Sequence, residues 1–363
     1  MYIAGYLVRT GQRQHLYEYA LQVRLQDMIV GPSDTPLPFN HLPYESLLFA
    51  PLSMFKYQTA YSIFLLTNLL FLAICFAVLR PWTRNLSKVY QWFPIALFAA
   101  FLPIAAALIQ GQDSILLLLI FAGSFALLER RKDSLAGTLA GLSMFKFQLA
   151  LPIALIYLLW RKWKFVAGFA AMSLLVLSVS AWLVGFAQVR TYSHLLTTMS
   201  SSTPASFLRN VFTANQMPNL RGLIFGLANG VLPTSLVSIL TAISSAALLL
   251  WAATSQQLQT SVYAPIVAIT LAVLVSYHLN FHDLSLMLVP ILWALDQFIF
   301  SEAGGRRSHV WVSRSAALAF CAPVAESFFP QHLYLVAVPM LLFFVLLLRS
   351  STTDQVSTHS PVL

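Results

Sequence analysis

The sequence predicts an all-α fold, a polytopic bundle of transmembrane helices, on two observations. Of 363 residues 58% are hydrophobic and 9% charged, with a mean hydropathy of +0.75, whereas a soluble domain carries about a quarter charged residues. The apolar residues also come in continuous runs of about twenty. Such a run suits a helix crossing about 30 Å of hydrocarbon, and it lacks the polar and apolar alternation of a barrel strand. Backbone groups in lipid must be satisfied within the segment, so the runs read as helices.

Taken in order, the expected spans lie near residues 57 to 79, 91 to 109, 114 to 128, 165 to 187, 231 to 253, 262 to 279, 284 to 300, 315 to 329 and 333 to 348. Basic residues orient them, because short cytoplasmic loops are enriched in Lys and Arg. Arg80, Arg84 and Lys88 follow the first span, and Arg130, Arg131 and Lys132 the third. Arg306, Arg307 and Arg314 follow the seventh, and Arg349 the last. The apolar segment 135 to 160 has "ERRK" before it and "RKWK" after it, so both ends want the same side. It is expected to enter the membrane and return as a hairpin with "MFKFQ" at its tip. With Arg161, Lys162 and Lys164 added, thirteen of the 21 lysines and arginines fall on the cytoplasmic side. The net charge of +9 then reflects topology and attraction to anionic membrane lipids, and no nucleic-acid partner is needed to explain it.

This orientation divides the chain into an outer-face N-terminal loop region, 1 to 56, a transmembrane domain, 57 to 348, and a cytoplasmic tail, 349 to 363. An outer-face tail carrying Arg9, Arg13, Arg24 and Lys56 without an apolar leader raises the expectation of a further span upstream of Met1. Cys75 and Cys321 lie in apolar runs, so neither a disulfide nor a thiol site is expected.

The polar residues left on the outer face are the candidate site. "QGQDS" supplies Gln112 and Asp113, and "YHLNFHD" supplies His278, His282 and Asp283. "MPNLRGL" supplies Asn219 and Arg221, and the N-terminal region offers Glu18, Asp27, Asp34, His41 and Glu45. Ionisable groups at membrane depth are costly, and a convergence of them marks a substrate cavity. Two readings stay open at several positions. Asp113 and Asp283 either cap the helices that follow them or bind substrate. His278 and His282 share a face if the turn is helical, but a metal pair lacks a third identified ligand, so no metal and no cofactor are expected. Lys146 either snorkels to the headgroups or has a buried partner at the tip.

"MYIAGYLVRTGQRQHLYEYALQVRLQ", "GQDSILLLL", "LAGTLAGLSMFKFQLALPIALIYLLWRKWK", "MPNLRGL" and "YHLNFHDLSLMLVPILWALD" together resemble glycosyltransferase family 87. This is a GT-C-type family of polyprenyl-phosphate-dependent membrane mannosyl- and arabinosyltransferase-like proteins. The resemblance implies a catalytic aspartate a few residues before a "YxAG" pattern, matched here by Tyr2, Ala4 and Gly5, and before an "LY" pair, matched by Leu16 and Tyr17. That aspartate is therefore expected upstream of Met1, and the 363 residues alone are expected to show little or no activity. Phe147 departs from the Lys-Pro-Gln common at the family's hairpin, while Lys146 and Gln148 keep to it.

The resemblance implies transfer of a mannose- or arabinose-like sugar from a polyprenyl-phosphate donor to a lipid or glycan acceptor, at the extracytoplasmic face of the cell membrane. That chemistry needs a carboxylate to take the acceptor's proton, donors for the leaving phosphate and a water-poor cavity. Gln112, Asp113, Lys146, Arg221, His278, His282 and Asp283 are the expected substrate-binding residues. The rival reading is a transporter or lipid flippase, although no repeated half of the kind that marks many transporters is visible in the sequence.

Overall fold

The computed structural model describes residues 1–32, 39–200, 214–228, 230–255, 263–298 and 307–356, and among these it is helical, without strands. Asp34 and Arg306 lie outside the described residues. Five segments are long and apolar enough to cross a membrane: Tyr57–Trp82, Asp133–Leu159, Trp163–Val184, Thr234–Thr254 and Pro330–Ser350. Ser114–Glu129 and Ala264–Val275 are shorter apolar helices. The chain is a polytopic helical membrane protein.

Several expected spans are built from consecutive short pieces, and prolines account for the joints. The run 91 to 109 divides into Phe93–Ala100 and Leu102–Ile109 around an extended Phe101, because Pro103 has no N–H to give the carbonyl of Ala99 and its ring clashes with that carbonyl in a continuous helix. The run 315 to 329 begins within helix Arg307–Cys321 and continues as a 3-10 turn, Ala322–Ser327, with Pro323 in its first turn. The run 284 to 300 opens as a 3-10 turn, Phe281–Met287, before helix Leu288–Phe298.

The segment 133 to 159 breaks at Lys146, whose φ of −116° and ψ of 59° are not helical. Helix Asp133–Gly141 packs along Trp163–Val184, with Gly137 against Phe165 and Gly141 against Phe169 and Met172. Partner numbers rise together, so these two helices run parallel. Helix Phe147–Leu159, which joins them, must therefore travel back. The stacking of Tyr157 on Phe165, centroids 4.1 Å apart, brings its far end beside the start of the next helix. The parallel pair is tight: a Cβ at Gly137 would lie 1.9 Å from the Phe165 carbonyl oxygen, and one at Gly168 2.1 Å from that of Ser134. Small residues four apart permit this approach between helices. Both turns flanking the doubled segment place an arginine, Arg131 and Arg161, at positive φ. In each turn backbone N–H groups return to the carbonyls of the preceding helix, Lys132 to Leu127 and Lys162 to Tyr157, which is the Schellman way of ending a helix.

The hairpin tip is pinned from outside. Tyr44 donates its hydroxyl to the Leu142 carbonyl at 2.7 Å and accepts the Phe145 N–H at 2.8 Å. Those groups fall in the 3-10 turn Leu142–Lys146, where helical partners are lacking. The N-terminal region thus holds the tip at a fixed place.

Candidate functional site

Three local devices deliver charged side chains to the tip. Gly111, at φ +59°, closes helix Leu102–Ile109: its N–H returns to Leu108 and that of Gln112 to Ala107. The reversal aims Asp113, the first residue before helix Ser114–Glu129, inward. Asp113 makes no side-chain cap, so of its two sequence readings the capping one does not hold. Asp283 is a cap through one oxygen and a buried ion-pair partner through the other. Its Oδ2 accepts the Asn280 N–H at 3.1 Å, while Oδ1 accepts the Ser114 hydroxyl at 2.8 Å and meets the Lys146 ammonium. The break at Lys146 points that side chain into the same place.

Lys146 is 2% exposed. Its Nζ lies 2.7 Å from Asp113 Oδ1 and donates to Ser114 Oγ at 2.9 Å, besides its contact with Asp283. All three hydrogens of the ammonium are thereby engaged, which is what a charge removed from water requires. The other oxygen of Asp113 is 3.2 Å from His41 Nδ1, and the same nitrogen lies 2.5 Å from Glu45 Oε2. Tyr17 fixes the backbone there by donating to the His41 carbonyl at 2.7 Å. Three carboxylates from three chain segments, Glu45, Asp113 and Asp283, so surround one lysine and one histidine.

Burial alone would depress His41, but Glu45 and Asp113 outweigh it and raise its pKa to about 9. Burial raises Glu45, His41 offsets this in part, and the result is about 7. Asp113 is held well below the usual carboxylate range, since Lys146 and His41 overcome its burial. Lys146 and His282 likewise bring Asp283 down to about 2 against its burial. His282 is depressed to about 4 by burial and so is neutral. Its Nδ1 faces Gln110 Oε1 at 2.8 Å, and its Nε2 is 3.8 Å from Asp283 Oδ1.

This cluster borders a cavity of about 1070 Å³, of the order that takes a small-molecule ligand. Gln112, Lys146, Arg221, His278, His282 and Asp283 all line it, with Asp113 buried behind Lys146. Arg221 sits apart from the carboxylates. Its guanidinium is 4.0 Å from the Tyr277 ring centroid and donates to the Tyr277 carbonyl at 2.6 Å, while Asn219 caps the helix that carries it by accepting the Gly222 N–H at 3.0 Å. Of the N-terminal candidates, Glu18 pairs with His15 at the surface and Asp27 is exposed.

Sequence reasoning named His41 and Glu45 only among the polar residues of the N-terminal region, outside the expected substrate-binding set, and it did not single out Ser114 or Gln110. His41 and Glu45, four apart on either side of Pro43, carried a weak signal as an ionisable pair in an otherwise apolar stretch. Ser114 carried none, being an ordinary first-turn serine. Phe147, where the sequence departs from the resemblance, is the first residue of helix Phe147–Leu159. Proline is favoured but not required there, because the N–H at that position has no helical partner.

No curated protein and no solved structure matches the chain. The profile of glycosyltransferase family 87 matches residues 42 to 277. That stretch is well over half of the sequence and takes in Glu45, Asp113, Lys146 and Arg221, while His278, His282 and Asp283 follow directly after it. With that match laid over a helical membrane fold, the chain belongs to glycosyltransferase family 87 and is a membrane glycosyltransferase.

Proposed function

We propose that the enzyme moves a mannose- or arabinose-like sugar from a polyprenyl-phosphate donor to a lipid or glycan acceptor, at the extracytoplasmic face of the cell membrane. The observation that carries this reading is the cavity itself, bordered by a buried carboxylate and lysine cluster and by Arg221. In the transfer, the acceptor oxygen bonds to the anomeric carbon, the bond from that carbon to the phosphate oxygen breaks, and the hydroxyl proton passes to a carboxylate. The leaving group is a lipid phosphate, whose charge needs donors placed in advance. Arg221 suits a phosphate, with its guanidinium already oriented by Tyr277. Neutral His278 and His282 supply polar ring atoms without adding charge, and Gln112 is placed to bind sugar hydroxyls. Lys146 and Asp283 hold the floor of the cavity rigid, and Asp113 reaches the substrate through them. The donor's apolar tail lies among lipid-facing helices, and membrane lipids surround the bundle.

Membranes containing the chain, expressed from its complete reading frame, test the reading with polyprenyl-phosphate-linked labelled sugar. Transfer to an acceptor is expected, and His282→Ala is expected to lower turnover by about tenfold or more. Asp283→Asn keeps an oxygen for the cap, so a large loss of activity in a stable variant assigns Asp283 to the site. Full activity in both variants refutes these placements.

A further inference from the structure

Three side chains in the cluster have a use that sugar transfer as described above leaves unassigned. His41 Nδ1, a Glu45 oxygen and an Asp113 oxygen all lie within 4.8 Å of one another. Glu45 is 0% and Asp113 1% exposed, whereas His41 is partly exposed and lines the cavity. Among the described residues, Glu45 Oε1 and both Asp113 oxygens are buried without a hydrogen bond. Asp113 is met only by the ion-pair contacts of Lys146 and His41. Glu45 Oε1, shut away from water without a donor, is costly, and a bound cation removes that cost. Charge points the same way. Glu45, Asp113 and Asp283 face Lys146 and the nearby Met1 amino group, and the carboxylates are in excess once the proton on His41 has been displaced by an entering ion.

We propose that His41, Glu45 and Asp113 form a divalent-cation site, open toward the cavity, whose free coordination positions take phosphate oxygens of the lipid-linked donor. One imidazole and two carboxylates make a donor set suited to Zn²⁺ or Mn²⁺, with ligand distances of about 2.0–2.2 Å. Two of the three ligands are buried and the third borders the cavity, so the coordination sphere is completed from the cavity side, as in catalytic sites. An entering ion displaces the proton held between His41 and Glu45. Lys146 stays on the other oxygen of Asp113, orienting that carboxylate from behind. The ion is the counter-charge for a phosphate approaching an otherwise acidic cluster. The phosphate half of the proposal rests on the glycosyltransferase reading; the cation half does not.

The test uses the purified full chain in nanodiscs, stripped with a chelator and titrated with Mn²⁺ under electron paramagnetic resonance. One tightly bound equivalent is expected, with spin-echo modulation from a single imidazole nitrogen. His41→Ala and Glu45→Gln should each weaken binding by at least about tenfold, while His15→Ala at the surface leaves it unchanged. If a variant fails to fold, the nitrogen modulation in the unmutated chain still decides. Absence of a bound equivalent, or modulation and affinity untouched by the His41 and Glu45 variants, overturns the site. Transfer that survives complete chelation removes the ion from catalysis and leaves the glycosyltransferase reading intact. Mn²⁺ bound at His41 in a chain that transfers no sugar retains the site and sinks that reading.

Discussion

Replacing Lys146 with Met keeps most of the side-chain stem and removes only the ammonium. In the native protein that ammonium is 2% exposed, within 2.7 Å of Asp113 Oδ1, bonded to Ser114 Oγ at 2.9 Å and in contact with Asp283 Oδ1. The variant strands two carboxylates in a dry pocket. Asp113 retains His41, but Asp283 retains only hydroxyl and backbone donors. Breaking a buried pair on one side costs about 3–5 kcal/mol, a large share of the 5–15 kcal/mol typical of a folded domain. At roughly 2–4 °C per kcal/mol, thermal unfolding in detergent should fall by on the order of 10 °C. Adding Asp283→Asn to Lys146→Met should restore part of the loss, because one stranded charge is gone and the two positions couple. Lys88, exposed and hydrogen-bonded to Asn85, serves as the control, and Lys88→Met should change stability by no more than about 0.5 kcal/mol. A Lys146→Met protein as stable as the Lys88→Met protein refutes the reasoning.

Further outcomes follow from the same geometry. Gly137→Ala should destabilise by about 1–3 kcal/mol in chemical unfolding, since its Cβ meets a backbone oxygen at 1.9 Å; a neutral effect contradicts the parallel packing. With divalent ions removed, the raised pKa values of His41, about 9, and Glu45, about 7, make the folded protein hold more protons than the unfolded one. Their contribution is complete below about pH 4.5 for Glu45 and 6.5 for His41, and is lost as pH rises through 7 and then 9. Glu45→Gln with His41→Gln should flatten the fall in stability between pH 5 and 9, and an unchanged slope argues against the pair. Once Cys75 and Cys321 are replaced, an impermeant thiol reagent outside the cell should label a cysteine at Asn280 and leave Arg131 and Lys164 positions unlabelled. Labelling at Lys164 defeats the re-entrant hairpin.

Composition and run length made the membrane class and the helical fold legible, because both follow from the solvent the chain must face. "ERRK" and "RKWK" put the same cost on both ends of the segment 133 to 159, which is the reason a hairpin is expected there. The division of the run 91 to 109 was written in Pro103, although hydropathy alone reads across it. Asp113, Lys146 and Asp283 could be singled out as ionisable groups in apolar surroundings, but their pairing could not, because contacts between residues 113, 146 and 283 depend on helix packing. Asp283 was not readable as a cap alone, because one oxygen accepts the Asn280 N–H while the other meets Ser114 and Lys146. Glu45 and His41 were visible as polar residues of the N-terminal region, but nothing in the sequence set them above Glu18, Asp27 and Asp34. Their significance comes from lying opposite Asp113, nearly seventy residues away.

The most direct measurement of the central claim follows labelled sugar in sealed vesicles carrying the chain expressed from its complete reading frame. Polyprenyl-phosphate-linked sugar is supplied to the leaflet facing Asn280, with a lipid or glycan acceptor present. The account predicts a new glycosidic product on that side, free lipid phosphate in equal amount, and loss of both in the Arg221→Ala protein. Intact labelled donor that appears in the opposite leaflet without any new product would contradict it and make the protein a transporter.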